Sequence, residues 1–318
     1  MSFFYYPITW LNSAPLILLA AILLDSLFGE VRHWHPLVGF GNLADWLEPR
    51  LNRAQSPTLA RVLGLCAWLI LLLPFVTLSY FLTHLKFGWL TDSVLLYLCI
   101  GARSLKEHAL QIYRALISKE LAKARLAVGM IVSRDTQALD EREIATATVE
   151  SVLENGNDAI FGAMFWFLIF GGAGAVAYRL ANTLDAMWGY RTPRFLYFGW
   201  AAARLDDGLN LIPARLTALS YALCGHTRTA LYCWRQQAHQ WYSPNAGPVM
   251  AAGAGALRVQ LGGEASYHGK FKSRPLLGQG QIAEACHILL ATQLVRRSVA
   301  LWCVVTLVMA LLIKLRLA

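Results

Sequence analysis

Leu59 to Leu82 reads LARVLGLCAWLILLLPFVTLSYFL, with Arg61 as its single charge. The run is longer than the roughly 20 apolar residues that carry a helix across the hydrocarbon core of a bilayer. Composition agrees with it: 57% of the 318 residues are hydrophobic and 15% are charged, against an apolar share of roughly 45–50% in a soluble domain. Backbone in lipid must satisfy its own hydrogen bonds, so the expected class is all-α, a polytopic integral membrane protein with about four to six membrane-embedded helices and cytosol-facing helical and loop regions. A single membrane domain over 1–318 is expected, with 103–158 and 225–297 as cytosol-facing polar regions within it.

Ser298 to Ile313 nearly reaches the same length. Three segments are weaker: Ala14 to Phe28 carries Asp25, Trp89 to Ala102 is short and holds Asp92, and Ala159 to Leu180 is interrupted by Gly171, Gly172 and Gly174. Those glycines suit a helix that enters, breaks and returns, or one buried among other helices. The N-terminus lacks the basic region of a signal peptide, so the run Pro15 to Leu24 is expected to stay as the first membrane segment. The first 31 residues contain no Lys or Arg, whereas Arg32, Arg50, Arg53 and Arg61, and later Arg103, Lys106, Arg114, Lys119, Lys123 and Arg125, follow apolar segments. This bias places the N-terminus outside and both basic regions in the cytoplasm of a cell whose inner membrane holds the chain. The net charge of +9 is scattered and interleaved with acids, so it serves topology and anion contacts, and no nucleic acid is expected. Six cysteines without CxxC spacing read as reduced packing residues.

Against this background one island of charge stands out. Ala181 to Leu219, ANTLDAMWGYRTPRFLYFGWAAARLDDGLNLIPARLTAL, gathers Asn182, Asp185, Arg191, Arg194, Arg204, Asp206, Asp207, Asn210 and Arg215. Scarce charges collected beside apolar segments point to a charged ligand. Just upstream, Glu150, Glu154 and Asp158 recur at i, i+4 and i+8, which places them on one helix face with Asn155 adjacent. Like charges at that spacing repel. Either a cation such as magnesium, which takes carboxylate, water and phosphate oxygens, sits among them, or the face is paired with Arg142 or Arg134.

The arginines have two readings as well: bidentate binding of phosphate or carboxylate, or pairing with Asp185 and Asp206. Arg134 and Asp135, in the compact knot Ser133 to Thr136, share that choice. Ser243 to Gly247 (SPNAG, with Asn245), Leu261 to Gly263 (LGG, with Gly262) and Tyr267 to Gly269 (YHG) read as loops whose backbone donors can approach an anion. No GxxxxGK[ST] run is present, so a P-loop is not indicated. His33 and His35, either side of Trp34, read as packing or loop residues rather than metal ligands.

Taken in order, SRDT (133–136), ATVESVLEN (147–155), Phe165 with Trp166, NTLD and MWGYR (182–191), FGWAAARLDD (198–207), PARLTAL (213–219), SPNAG and RVQLGG (258–263), together with HPLVGFG from His35, cover most of the chain. They resemble the signature blocks of the adenosylcobinamide-phosphate synthase family of cobalamin biosynthesis. The resemblance implies an ATP-dependent, Mg2+-dependent ligase that joins a propionate of adenosylcobyric acid to aminopropanol or its O-phosphate, with the corrinoid as substrate rather than cofactor. On that reading Asp185, Arg204, Asp206 and Asp207 are catalytic, and Glu150, Glu154, Asn155 and Asp158 hold the metal. Substrate binding falls to Arg134, Asp135, Asn182, Arg191, Arg194, Asn210, Arg215, Ser243, Asn245, Gly247, Gly262 and Gly263, with Trp188, Tyr190, Tyr197 and Trp200 as walls for the corrin or as an interfacial aromatic belt. The implied partners are the corrinoid, an amino-alcohol phosphate, the lipid bilayer and other enzymes of the corrinoid pathway. Two other readings fit the same residues: a non-catalytic membrane sensor or assembly factor of the same fold, and a magnesium-dependent intramembrane prenyltransferase.

Overall fold

The computed structural model describes residues 6–31, 35–54, 56–267 and 270–317, with side chains throughout except at 6–12, 267, 270, 271 and 317. His33, Trp34, His268 and Gly269 therefore lie outside the described residues. The described residues form helices and one small sheet. Among the described residues three helical stretches are long and apolar enough to cross a membrane: Pro57–Thr83, Glu141–Trp188 and Ala285–Arg316. The two strong segments of the sequence lie in the first and third of these, and the glycine-interrupted one lies in the second.

The helices gather into two compact units. The first comprises Met1–Gly101, Asp158–Asn210 and Thr306–Ala318. Its helices are α1 (Tyr6–Phe28), α2 (Pro36–Leu51), α3 (Pro57–Thr83) and α4 (Gly88–Cys99). The second unit comprises Ala102–Asn157 and Leu211–Val305, and so takes in both polar regions expected from hydropathy except Asp158. It holds α5 (Ala102–Ile117), α6 (Leu121–Gly129) and α7 (Glu141–Gly156). A π-helical turn, Asn157–Phe161, follows and leads into α8 (Gly162–Trp188) of the first unit, and α9 (Trp200–Cys224) begins in the first unit and ends in the second. The second unit continues with α10 (Thr227–Gln237), α11 (Ala246–Leu257) and strands β1 (Val259–Tyr267), β2 (Lys270–Gly278) and β3 (Gln281–Ile282), and α12 (Ala285–Leu317) closes the chain.

Local chemistry sets the helix ends. Ser56 caps α3, accepting from the Leu59 N–H with Pro57 in the first turn, where a missing N–H costs nothing. Asp140 and Glu143 form a reciprocal capping box at the start of α7. The break expected among the glycines falls inside α8. Phe170 leaves helical geometry and Gly171 takes φ 67°, ψ −160°, a region open essentially to glycine alone. The helix restarts at Gly172, whose N–H donates to Asp92 Oδ1 of α4 at 2.7 Å. That carboxylate satisfies a donor which, left unpaired in lipid, would cost several kcal/mol.

In the first unit Phe40, Leu72, Leu184, Trp188, Phe198 and Ala202 form the core. Gly64 of α3 lies so close to the Phe198 carbonyl that any Cβ would overlap it. The turn between α8 and α9 is fastened to α2 by Glu48, which is 2% exposed. Its carboxylate accepts from Arg194 Nε at 3.1 Å and from Asn52 Nδ2 at 2.6 Å, with a second contact from Arg194 Nη2. Burial alone would raise the Glu48 carboxyl, but the Arg194 and Asn52 hydrogen bonds and the Arg194 charge outweigh it and hold the group below the ordinary glutamate range. A depressed acid stabilises the fold above its unfolded value and loses that contribution as pH falls through the folded one. Glu48→Gln should therefore lower Tm at pH 7, with the gap from wild type closing progressively below about pH 4.3. A gap that stays constant into acid would exclude the ion pair as its cause.

In the second unit α11 is buried along nearly its whole length. Its small residues let neighbours approach: Gly253 faces Leu153 of α7, and Gly255 faces the backbone of Thr229 and Ala230 in α10. The sheet order is β2–β1–β3, with β1 antiparallel to β2 and parallel to β3. A bulge between Leu261 and Gly263 interrupts the β1–β2 register. LGG was expected as a loop, and the structure corrects that: the glycines belong to a strand, with φ of 89° at Gly262 and 82° at Gly263, because a bulge needs residues that tolerate left-handed backbone.

Candidate functional site

The residues expected to act fall into two clusters, one in each unit. The first is built where α8 meets the beginning of α9. Tyr178, Asn182 and Asp185 repeat at i, i+4 and i+7 along α8, and Asp206 and Asn210 at i and i+4 along α9, so each set shares a face. Asp206 is 8% exposed. Its Oδ1 accepts from Asn182 Nδ2 at 3.3 Å and its Oδ2 from Asn210 Nδ2 at 3.1 Å. Tyr178 Oη donates to Asn210 Oδ1 at 2.8 Å, which fixes which way the Asn210 amide points. Glycine makes room for a further carboxylate, since a Cβ at Gly189 would strike that of Asp185.

Electrostatically this is a crowded acidic site. Burial pushes the Asp206 carboxyl up to about 6, opposed by the Asn182 and Asn210 hydrogen bonds and reinforced by the charge of Asp207. Asp207 is raised as well, chiefly by burial, although Arg204 and Arg191 pull it down. Asp185 lies within the field of both aspartates. Three carboxylates crowded together in this way are a site that a cation would relieve. Among the described residues no three His, Cys, Asp or Glu side chains converge as a metal cage. Magnesium does not need one, because it completes its shell with water and substrate phosphate, so the donor set fits that ion. Arg191 and Arg204 are exposed beside Asp207, whereas Arg194 is committed to Glu48.

The second cluster centres on Glu150 of α7, 3% exposed. Its Oε2 pairs with Arg134 and with Arg274 Nη1, the latter at 2.9 Å, and its Oε1 accepts the Gly262 N–H at 2.8 Å. Arg274 spends its other nitrogens on the Gly263 and Gly262 carbonyls, both at 3.2 Å, and lies over the Trp241 ring. The paired reading of the acidic face thus holds at Glu150, with Arg134 rather than Arg142 as partner. Glu154, one turn on, feels Glu150 and both arginines, and Asn155 Nδ2 donates to the Ser151 carbonyl at 2.9 Å. Asp158, inside the π-turn, belongs to the first unit; its carbonyl accepts from Arg179.

The remaining expected residues hold the second unit together. Asp135 accepts from Ser266 Oγ at 2.7 Å. Arg215 Nη1 donates to Asn245 Oδ1 at 2.6 Å. Ser243 Oγ accepts from the Asn245 and Ala246 N–H groups, and Gly247 abuts the Ala238 carbonyl, so SPNAG is the entry to α11. Of the four aromatic candidates Trp188 is core at 1% exposed, while Tyr190, Tyr197 and Trp200 are exposed, the last two flanking Arg61. Tyr178, Arg179 and Arg274 do not stand out in the sequence. A tyrosine and an arginine inside an apolar helix, and one arginine in a strand, carry no spacing signal of their own.

The match to known proteins is extensive. The family model described as CobD/Cbib protein matches residues 18–295. The chain belongs to the CobD/CbiB family. A curated member, "Cobalamin biosynthesis protein CobD" of Stutzerimonas stutzeri, is 56% identical over 296 residues, covering 93% of this chain and 97% of that protein. Members of the same name from Chromobacterium violaceum and Rhizobium meliloti are 54% identical over 308 residues (95% and 98% of the two chains) and 35% identical over 288 (85% and 88%). No solved structure shows significant similarity to it. As a CobD family member this is a protein of cobalamin biosynthesis, and every side chain of the Asp206 cluster lies inside the matched range.

Proposed function

We propose that this CobD family member is a ligase of the cytoplasmic face of the inner membrane. It joins a propionate of adenosylcobyric acid to aminopropanol or its O-phosphate, at the expense of ATP. The observation that carries this is the Asp185–Asp206–Asp207 cluster with Arg191 and Arg204 at its edge, in a chain of a cobalamin-biosynthetic family. A carboxylate is a poor electrophile and ATP is an anion, so the chemistry requires charge neutralisation first and acyl activation second. Magnesium, when bound, supplies the neutralisation.

Asp206 and Asp207 would hold the ion, and Asn182 and Asn210 orient Asp206 toward it. Arg191 and Arg204 take phosphate oxygens bidentately. A propionate oxygen then displaces part of the triphosphate at phosphorus, and the amine nitrogen attacks the activated carbonyl. Asp185 accepts the ammonium proton, and the phosphate-bearing group departs with its bonding electrons. Glu150, already held by two guanidinium groups, serves in this account as a structural node.

Membranes carrying the chain, given cobyric acid, ATP, magnesium and aminopropanol phosphate, should yield the amide by mass spectrometry, and omission of ATP or magnesium should abolish it. Incorporation of a labelled prenyl diphosphate instead would transfer the site to a prenyltransferase. Asn210→Leu removes a donor from Asp206 and is expected to weaken magnesium activation by about 10–100-fold, read as a shift in half-saturating magnesium. With the six native cysteines replaced by serine, labelling of an Arg191→Cys variant by an impermeant thiol reagent should occur from the cytoplasmic side only; labelling from outside would defeat an ATP-dependent site.

A further inference from the structure

Arg179 is the only charged residue between Gly172 and Leu184, on the part of α8 beyond the break. Its Nε is buried and has no hydrogen-bond partner among the described residues. Its Nη1 reaches the Asp158 carbonyl at 3.5 Å, the outer limit of such a bond. Among the described residues no carboxylate forms an ion pair with it. A guanidinium set into an apolar helix without an anion is costly, and such intramembrane charges are kept for a ligand or a partner.

Its surroundings are arranged for a ligand. His35, at the N-terminus of α2, lies within its field and is 8% exposed. The His35 Nδ1 accepts the Leu37 N–H at 3.2 Å, so the proton of the neutral ring sits on Nε2 and makes it a donor. Burial first, and the Arg179 charge after it, lower the imidazole and keep it neutral, against the opposing pull of Glu30. Tyr178 precedes Arg179 and is anchored on Asn210. Asn182 stands at i+3, about 4.5 Å farther along the helix axis, and there it donates to Asp206. One cation with an unspent donor thus sits a single helical turn from a cluster of carboxylates suited to a metal.

We propose that Arg179 binds an oxyanion, a carboxylate or phosphate group of a substrate, beside His35 and one turn from the Asp206 cluster. This rests on the ligase reading for its substrates, but the binding itself can be measured without turnover. The full-length protein in detergent would be titrated with inorganic pyrophosphate and, separately, with propionate while Tm is followed. At least one anion should raise the Tm of wild type, with half-saturation moving about tenfold or more to higher concentration in Arg179→Gln and less in Arg179→Lys. A pyrophosphate response assigns the residue to the nucleotide, and a propionate response to the corrinoid side chain. In anion-free buffer Arg179→Gln should melt at or above wild type, because an uncompensated cation has been removed.

A purely structural arginine gives the opposite sign, a Tm lowered equally with and without anion, and that result would overturn the proposal. So would a wild type unresponsive to both anions. A protein that binds the anion through Arg179 yet forms no amide loses the ligase reading alone, and one that forms amide undiminished by Arg179→Gln loses the Arg179 assignment alone.

Discussion

Glu150→Ala is expected to cost about 3–5 kcal/mol of stability and to loosen the β1–β2 hairpin, because truncating one member of a buried ionic group leaves the others uncompensated. Here two guanidinium groups, 9% and 4% exposed at the side chain, would lose their anion, and the Gly262 N–H would lose its acceptor. Equilibrium denaturation in detergent measures the loss, and faster tryptic cleavage after Lys272 locates it. Glu150→Gln keeps an acceptor for Gly262 but not the charge, and should fall between. Replacing Glu150, Arg134 and Arg274 together by leucine should recover much of the stability, since an apolar substitute spares the desolvation that the charges impose. If Glu150→Ala instead melted like wild type and only raised the magnesium requirement, Glu150 would be a metal ligand and the node described above would be wrong.

Asp206→Ala gives the larger effect on turnover and the opposite effect on stability. Removing a carboxylate that holds the activating cation forfeits several kcal/mol of transition-state charge stabilisation, so amide formation should drop by about a thousandfold or more, each 1.36 kcal/mol counting as a factor of ten. The fold should not suffer, because Asp206 is buried among like charges and its removal relieves the repulsion felt by Asp185 and Asp207. A variant as active as wild type would remove Asp206 from the chemistry. One inactive only because it is unfolded would show its fault in Tm. Asp206→Asn, which keeps the shape and the Asn182 contact but not the charge, should be nearly as inactive and equally stable.

The membrane character of the chain was legible at Leu59 to Leu82, because roughly 20 apolar residues in a row suffice to cross a bilayer, whereas a soluble helix needs only one apolar stripe. The break at Gly171 was legible too, since clustered glycines inside an apolar run are where a helix yields. The Asp206 cluster could be named in advance because its charges crowd a short stretch. The hairpin has a sequence signal of its own, since Val259, Leu261 and Ala265 are buried while Gln260 and Glu264 are exposed, the period of two that marks a strand. The glycines of LGG drew attention to turns instead. Arg274 could not have been found, for its partner stands 124 positions away and nothing local announces it. The acidic face is divided between the two units, and its regular spacing assumes a regular helix, whereas the π-turn at Asn157 ends that regularity just before Asp158.

The bond between Asp92 and Gly172 also bears on how the protein is made. Its two ends are 80 residues apart, and the carboxylate belongs to the earlier segment. At the usual pace of about 5–20 residues per second on the ribosome, Asp92 is added to the chain about 4–16 seconds before the break in α8. The acceptor for the amide at the joint is therefore made before the interrupted helix that needs it. Moving the two segments into the opposite order, as a circular permutation would, keeps every contact of the finished fold and removes that head start.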